Sequence, residues 1–421
     1  MSSLKKETLK NGLSLWKCML PHTHCVSIDL LIRPGAMNEK KEEAGITHFI
    51  EHLFFRELNG KPQFDLYRKM ESCGTTLMAT TYLDCIHFSL KVSPLYFEKA
   101  FEIIGDILKT DSWSQEAIEQ ERRVVLREIE EKNENAIQFF STQNVFEDSS
   151  YSNDILGNER TLRSFSKSQI EKKRDFLFSQ SRILCLISGN YSSCQLKLAE
   201  SVLNTITLPR ARPMSASPKP GDFGNRRQNI WIEKNDWDLA EVDLAFDVNH
   251  QKVPLTDAEI LNSLLGEGVG SLLQTELREE AAYTYDVSSF VDHYRRFSVL
   301  HIRYSVAYEQ ILSSVRCVIE AINSLKEHIA IEQLNTVLPF YNENMDFYLD
   351  DPQKLNRLVG WYEFILDSSF EKTKWKATVQ TASCFSSYAQ SIFIPSNASL
   401  TILGNCRFSE EKLSSALEEL R

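Results

Sequence analysis

The sequence has no apolar run of about 18 or more residues, which excludes a membrane-spanning helix. Its opening, Met1-Ser-Ser-Leu-Lys-Lys-Glu-Thr8, lacks the apolar core of a signal peptide and is too short and acidic for a transit peptide. No targeting segment is expected, and a cytoplasmic location follows. Nine cysteines (18, 25, 73, 85, 185, 194, 317, 384 and 406) contain no C-x-x-C pair and are odd in number. That excludes a cysteine zinc site and a regular disulfide framework, and it suits reduced thiols. An excess of basic residues is also missing. The net charge of −11 speaks against nucleic acid and favours basic or neutral partners.

What remains is an ordinary globular composition, 42% hydrophobic and 25% charged over 421 residues. That length exceeds one core of usual size and suits two domains. The clearest break is 209–228, which holds four of the twelve prolines and no apolar periodicity. It reads as a linker between an N-terminal domain, 1–208, and a C-terminal domain, 229–421.

The two halves resemble copies. Ile183-Leu-Cys-Leu-Ile-Ser-Gly-Asn190 precedes a helical pattern at 193–206, and Leu400-Thr-Ile-Leu-Gly-Asn405 precedes one at 409–420. The Gly-Asn pairs lie 215 residues apart, and at nearly that offset Val26–Ile32 matches Ala240–Phe246. Short strands followed by long amphipathic helices, such as 95–109 and 310–326, recur in both halves. The expected fold is α+β, two homologous α/β domains, each a mainly antiparallel sheet packed with helices.

Chemistry concentrates in His48-Phe-Ile-Glu-His52, within the helical pattern 45–55. At about 100° per residue, His48 and His52 project within roughly 40° of each other, with Glu51 beside them. Ile46, Phe49, Ile50, Leu53 and Phe54 cover the rest of the circumference. Burying a stripe of two imidazoles and a carboxylate is costly without a partner, and a metal ion is the natural one. A catalytic zinc needs a third protein ligand and one open position. A second helical pattern, 112–130, with Ser112 and Gln115 spaced as a capping box, offers Glu121 and Glu128 on one face with Val124 and Val125. Glu128 is the expected third ligand and Glu121 a carboxylate orienting a histidine. Each residue alone reads as structural, a helix histidine or a solvated edge. The combination does not. The remaining histidines (22, 24, 87, 250, 293, 301, 328) have no ligand spacing and read as structural.

These residues resemble the pitrilysin/insulinase family of zinc metallopeptidases (the inverzincins), in the two-domain form of the mitochondrial processing peptidase and its bacterial relatives. Leu9-Lys-Asn-Gly-Leu13 and Arg33-Pro-Gly-Ala-Met-Asn-Glu39 are similar to the family's opening strand and turn. His48-x-x-Glu51-His52 follows, with Glu128 at the family's spacing of 76 residues after His52. The segment 266–285 is similar to the one whose arginine and tyrosine, here Arg278 and Tyr285, grip substrate. On their residues alone they read as a surface charge and a packed aromatic. The resemblance implies domains forming half of a clamshell, with zinc as cofactor and Glu51 as the base of peptide hydrolysis. It further implies substrate added as a strand beside 77–81, touching Leu77, Met78, Ala79 and Thr80.

Three segments depart from the family. Met78-Ala-Thr-Thr81 lacks a polar side chain at the groove, Ala282-Tyr283 replaces glycine-leucine, and Phe55-Arg-Glu-Leu58 replaces F-x-G-T. The expected activity is a zinc endopeptidase acting on short or unfolded peptides, leaning toward dedicated peptide maturation. The alternative is a catalytic or structural subunit of an obligate heterodimer. The retained arginine–tyrosine pair favours a homodimer, with Tyr285 serving the partner's Glu51.

Overall fold

The computed structural model describes residues 5–131, 136–147, 149–211, 228–234, 236–268, 270–295, 297–368 and 382–420. Most of the 209–228 segment read as a linker lies outside the described residues.

The chain divides into two compact units, and they are not the two halves of the sequence. One comprises 1–132, 153–217 and 346–370; the other comprises 133–152, 218–345 and 371–421. The short segments 133–152 and 346–370 are thus each packed with the opposite half of the chain. Halves cut at 208 and 229 describe the sequence repeat rather than the packing units.

The first unit holds β1 (Lys5–Thr8), β2 (Ser14–Met19), β3 (Val26–Ile32), a small hairpin of β4 (Glu57–Leu58) and β5 (Lys61–Pro62), β6 (Met78–Thr81), β7 (Ile86–Val92) and β8 (Ile183–Gly189). Its sheet runs β1-β2-β8-β3-β7-β6, antiparallel except for β2 with β8. The second unit holds β9 (Asn229–Glu233), β10 (Ala240–Asn249), β11 (Val287–His293), β12 (Phe297–Val306) and β13 (Ala398–Leu403). Its order is β11-β12-β10-β13-β9, with β13 and β9 parallel. Omitting β1, the two orders correspond strand for strand, so the duplication read from the sequence holds in three dimensions.

Val26, Ile28, Leu30 and Ile32, alternating along β3, face a core built with the helices Ile46–Arg56, Phe97–Lys109 and Lys167–Leu177. The opposite face is more polar and is covered by the helix Pro352–Gly360. That helix buries Pro352, Leu355, Asn356, Val359 and Gly360, one stripe at helical spacing. A Cβ on Gly360 would come 2.9 Å from Leu31 Cδ1, so the helix lies close on the sheet there and a larger residue would make Leu31 shift. Asn356 donates to Asp29 Oδ2 at 2.6 Å and to the Ser27 carbonyl at 3.2 Å, and His87 Nε2 lies 2.8 Å from Asp29 Oδ1.

The second unit repeats this arrangement. Its covering helix is Ala136–Phe146, whose Asn144 donates to the Leu400 carbonyl and to Thr401 Oγ1, both at 3.0 Å. Asp243 and His301 pair at 2.9 Å, each 214 positions after Asp29 and His87. The histidines read as structural are, at these two positions, partners of buried aspartates.

Candidate metal centre

The His48–His52 helix starts where Gly45 turns the chain at φ 92°, packed so closely on Leu156 and Gly157 that a Cβ would meet the Leu156 carbonyl at 2.6 Å. Glu39 caps it. Its carboxylate accepts from the backbone N–H groups of Gly45 (2.8 Å) and Thr47 (2.7 Å), satisfying donors that a helix start leaves open. Burial pushes this carboxyl up to about 7, although Lys173 and those two bonds oppose the shift.

His48, Glu51 and His52 leave this helix on one side, as the spacing predicts. The second helix spans Gln115–Glu130, and its cap is Ser114 rather than Ser112. The Ser114 hydroxyl accepts from Ala117 N–H at 3.1 Å. Val125 is buried as expected, but Val124 is 43% exposed, so the apolar stripe beside the two carboxylates is narrower than the sequence suggested.

One nitrogen each from His48 and His52 and one oxygen from Glu128 lie within 4.8 Å of one another, and among the described residues no other such group occurs. His52 Nε2 stands 3.4 Å from Glu128 Oε2, and His48 Nε2 stands 3.8 Å from Glu128 Oε1. Donors bound about 2.0–2.1 Å from a tetrahedral zinc ion are roughly 3.3 Å apart, so each histidine is close to coordinating separation from a Glu128 oxygen. The donor set, two imidazoles and one carboxylate, also fits zinc and leaves a fourth position for water. His52 Nδ1 lies 2.9 Å from Glu121 Oε1, which leaves Nε2 to face a metal. Arg56 Nε donates to the other Glu121 oxygen at 2.6 Å. Burial alone would raise the Glu121 pKa, but the bonds from His52 and Arg56 outweigh it and hold the carboxyl below its ordinary value. Burial alone would lower that of His52. The Glu121 bond and the charges of Glu51 and Glu128 outweigh it, and the imidazole sits above its ordinary value.

Glu51 is 7% exposed and accepts a 2.7 Å hydrogen bond from Thr81 Oγ1. Burial is the largest influence and raises its pKa, with Glu128 adding to the rise, while Thr81 and His52 oppose it. Thr81 is the residue that the sequence did not single out. It ends β6, an edge strand bonded only to β7. Met78 and Thr80 are exposed, whereas Thr81 turns inward to Glu51. The alternation of β6 carried that signal, but nothing local ties residue 81 to residue 51. Leu77 is 3% exposed and packs in the core, so of the four expected groove residues it could meet a peptide only through its backbone.

Arg278 and Tyr285 belong to the second unit. Arg278 lies in a π-helical stretch, Gln274–Glu280, with its guanidinium 5.4 Å over the Tyr285 ring. Tyr285 is 87% exposed rather than the packed strand aromatic of its bare sequence reading. Both line a shallow cavity with Leu239, Tyr283 and Ser305. No helix among the described residues is long and apolar enough to cross a membrane.

Comparison with known proteins places the chain in a family. A family model described as Insulinase (Peptidase family M16) matches residues 19–159, and one described as Peptidase M16 inactive domain matches residues 164–337. An uncharacterized zinc protease of Rickettsia bellii (strain RML369-C) is 25% identical over 409 residues, 93% of this chain and 97% of that protein. The mitochondrial-processing peptidase subunit beta of Blastocladiella emersonii is 26% identical over 241 residues, 56% of this chain and 51% of its own. A crystal structure of a protease from Helicobacter pylori superposes with a TM-score of 0.85 at 18% identity, covering 96% of this chain and 100% of that one. At that identity the likeness speaks for the fold. With two successive family models matching most of its length and curated zinc proteases among its relatives, the chain belongs to the pitrilysin/insulinase family, peptidase family M16.

Proposed function

We propose that the protein is a zinc-dependent endopeptidase acting on short or unfolded peptides. The observation that carries this reading is Glu51. It is a buried carboxylate beside the His48–His52–Glu128 trio, bonded to the edge strand rather than counted among the candidate ligands. A carboxylate kept near a metal but free of it is suited to proton transfer.

Zinc held by His48, His52 and Glu128 would supply Lewis acidity toward the scissile carbonyl and lower the pKa of the attacking water. Glu51 takes the proton of that water and returns it to the leaving amine, its raised pKa bringing it closer to working pH. Thr81 fixes the carboxylate for both transfers. The open edge of β6 accepts the peptide as an added strand beside Met78, Ala79 and Thr80, a mode that needs extended substrate and disfavours folded proteins. Tyr285 donates to the developing oxyanion and Arg278 holds the peptide, both supplied by the second copy of a homodimer. Nine cysteines, odd in number and without a C-x-x-C pair, support a reducing compartment, the cytoplasm.

The test is hydrolysis of an internally quenched, unstructured peptide. Cleavage should stop with a chelator and return with zinc, while a stably folded protein of the same composition stays intact. Cleavage indifferent to chelation, or none with zinc fully loaded, would overturn the reading.

A further inference from the structure

Two consecutive side chains at the end of the histidine-bearing helix reach across to the helix that carries Glu121 and Glu128. Arg56 directs Nε to Glu121 Oε2 at 2.6 Å and Nη1 to Gln63 Oε1 at 3.0 Å. Glu57 accepts from the Ser114 hydroxyl at 2.5 Å and from Ser114 N–H at 3.3 and 3.4 Å. Ser114 is itself the cap of the Gln115–Glu130 helix. The second helix is therefore pinned at two points seven residues apart, about 10 Å along its axis, with Glu128 a further two turns on.

We propose that Arg56 and Glu57 are positioning residues that clasp the two ligand-bearing helices together and set the affinity of the centre for zinc. The proposal rests on the reading of His48, His52 and Glu128 as the ligands. Its physical basis is the accounting at Glu121, whose side chain is only 6% exposed. A carboxylate so buried needs a donor on each oxygen. His52 occupies one and Arg56 the other. Without Arg56, Glu121 would turn to find a second donor, and His52 would lose the bond that aims its ring. The planar guanidinium meets Glu121 and Gln63 together, which a single ammonium cannot reproduce. Glu57 acts at the other pin, where its charge also favours the positive end of the helix.

Full-length wild type, Arg56→Leu, Arg56→Lys, Glu57→Ala and Glu57→Gln are compared by zinc competition with a chromophoric chelator. Cobalt-substituted absorption spectra report ligand geometry, and circular dichroism of the metal-free proteins reports folding. Arg56→Leu should bind zinc about 10- to 100-fold more weakly and alter the cobalt spectrum with an unchanged fold, Arg56→Lys falling between. Glu57→Ala should weaken binding, and Glu57→Gln, which keeps an acceptor, should recover most of it. Zinc affinities within twofold of wild type for the folded Arg56 variants would overturn the clasp. If Arg56→Leu does not fold, Arg56→Lys decides by the same criterion. Failure of wild type to bind zinc would instead sink the metallopeptidase reading itself, so the two failures are distinguishable.

Discussion

Replacing Thr81 with valine keeps the shape of the β6 terminus and removes one hydroxyl. That hydroxyl makes a 2.7 Å bond to Glu51 in a place where both residues are 7% exposed, so water is poorly placed to substitute. A hydrogen bond to a charged group is worth about 1.5–3 kcal/mol. If that energy holds Glu51 in line for proton transfer, its loss should lower kcat by about 10- to 150-fold at about 1.4 kcal/mol per decade. KM should change little, because the Thr81 side chain faces Glu51 rather than the open edge of the strand. Thr81→Ser should recover most of the rate. The assay is steady-state hydrolysis of a quenched peptide with zinc content measured in each preparation. A fall in KM-controlled binding with kcat intact, or a serine variant as slow as valine, would refute the positioning role.

Three other outcomes follow from the same geometry. Asn356→Leu removes a buried amide that donates to Asp29 Oδ2 and the Ser27 carbonyl and accepts from the Ser188 hydroxyl; Asp29 Oδ2 keeps the Ser27 hydroxyl as a donor, but the buried Ser188 hydroxyl loses its acceptor. The substitution should cost about 1–3 kcal/mol per orphaned group in thermal or urea unfolding, and a neutral substitution would contradict the account. In the second unit, burial lowers the His301 pKa but Asp243 and Asp292 outweigh it, leaving a net rise. A raised folded pKa stabilises below the ordinary histidine value of about 6.5, and that contribution fades as pH rises through the folded pKa. The gap in urea midpoint between wild type and His301→Gln should therefore narrow toward alkaline pH; a gap independent of pH would refute this. Finally, mixing Glu51→Gln with Tyr285→Phe subunits under exchange should restore about a quarter of wild-type sites if Tyr285 acts across a dimer. No recovery, with exchange confirmed, would exclude the trans arrangement.

The juxtaposition of side chains at the candidate metal site was legible in the sequence because its signals are local. His48, Glu51 and His52 share one helix face by spacing alone, and so do Glu121 and Glu128. The repeat was legible because strands and Gly-Asn turns recur at nearly the same offset, 214 and 215 residues. Partners across the fold were not. Thr81 meets Glu51 and Glu57 meets Ser114 through packing that no periodicity encodes. The covering helices show the same limit. The buried stripe of 352–360 says that this helix has an apolar face, but not that the face belongs to the sheet of the opposite half, and the helix over 136–146 buries Ser141 and Asn144 among its apolar residues. The misplaced cap has a simpler cause. Ser112 and Ser114 are both competent caps, and the chain stays extended until Ser114.

The central claim is that Glu51 is a base and not a ligand, and zinc content of the Glu51→Gln protein tests it most directly. Alongside His48→Ala and Glu128→Gln, each purified protein is assayed by elemental analysis and for peptide cleavage. The account predicts that Glu51→Gln retains one zinc per chain and loses hydrolysis, whereas the other two lose the metal. A Glu51→Gln protein stripped of zinc, or one that still cleaves at the wild-type rate, would contradict it.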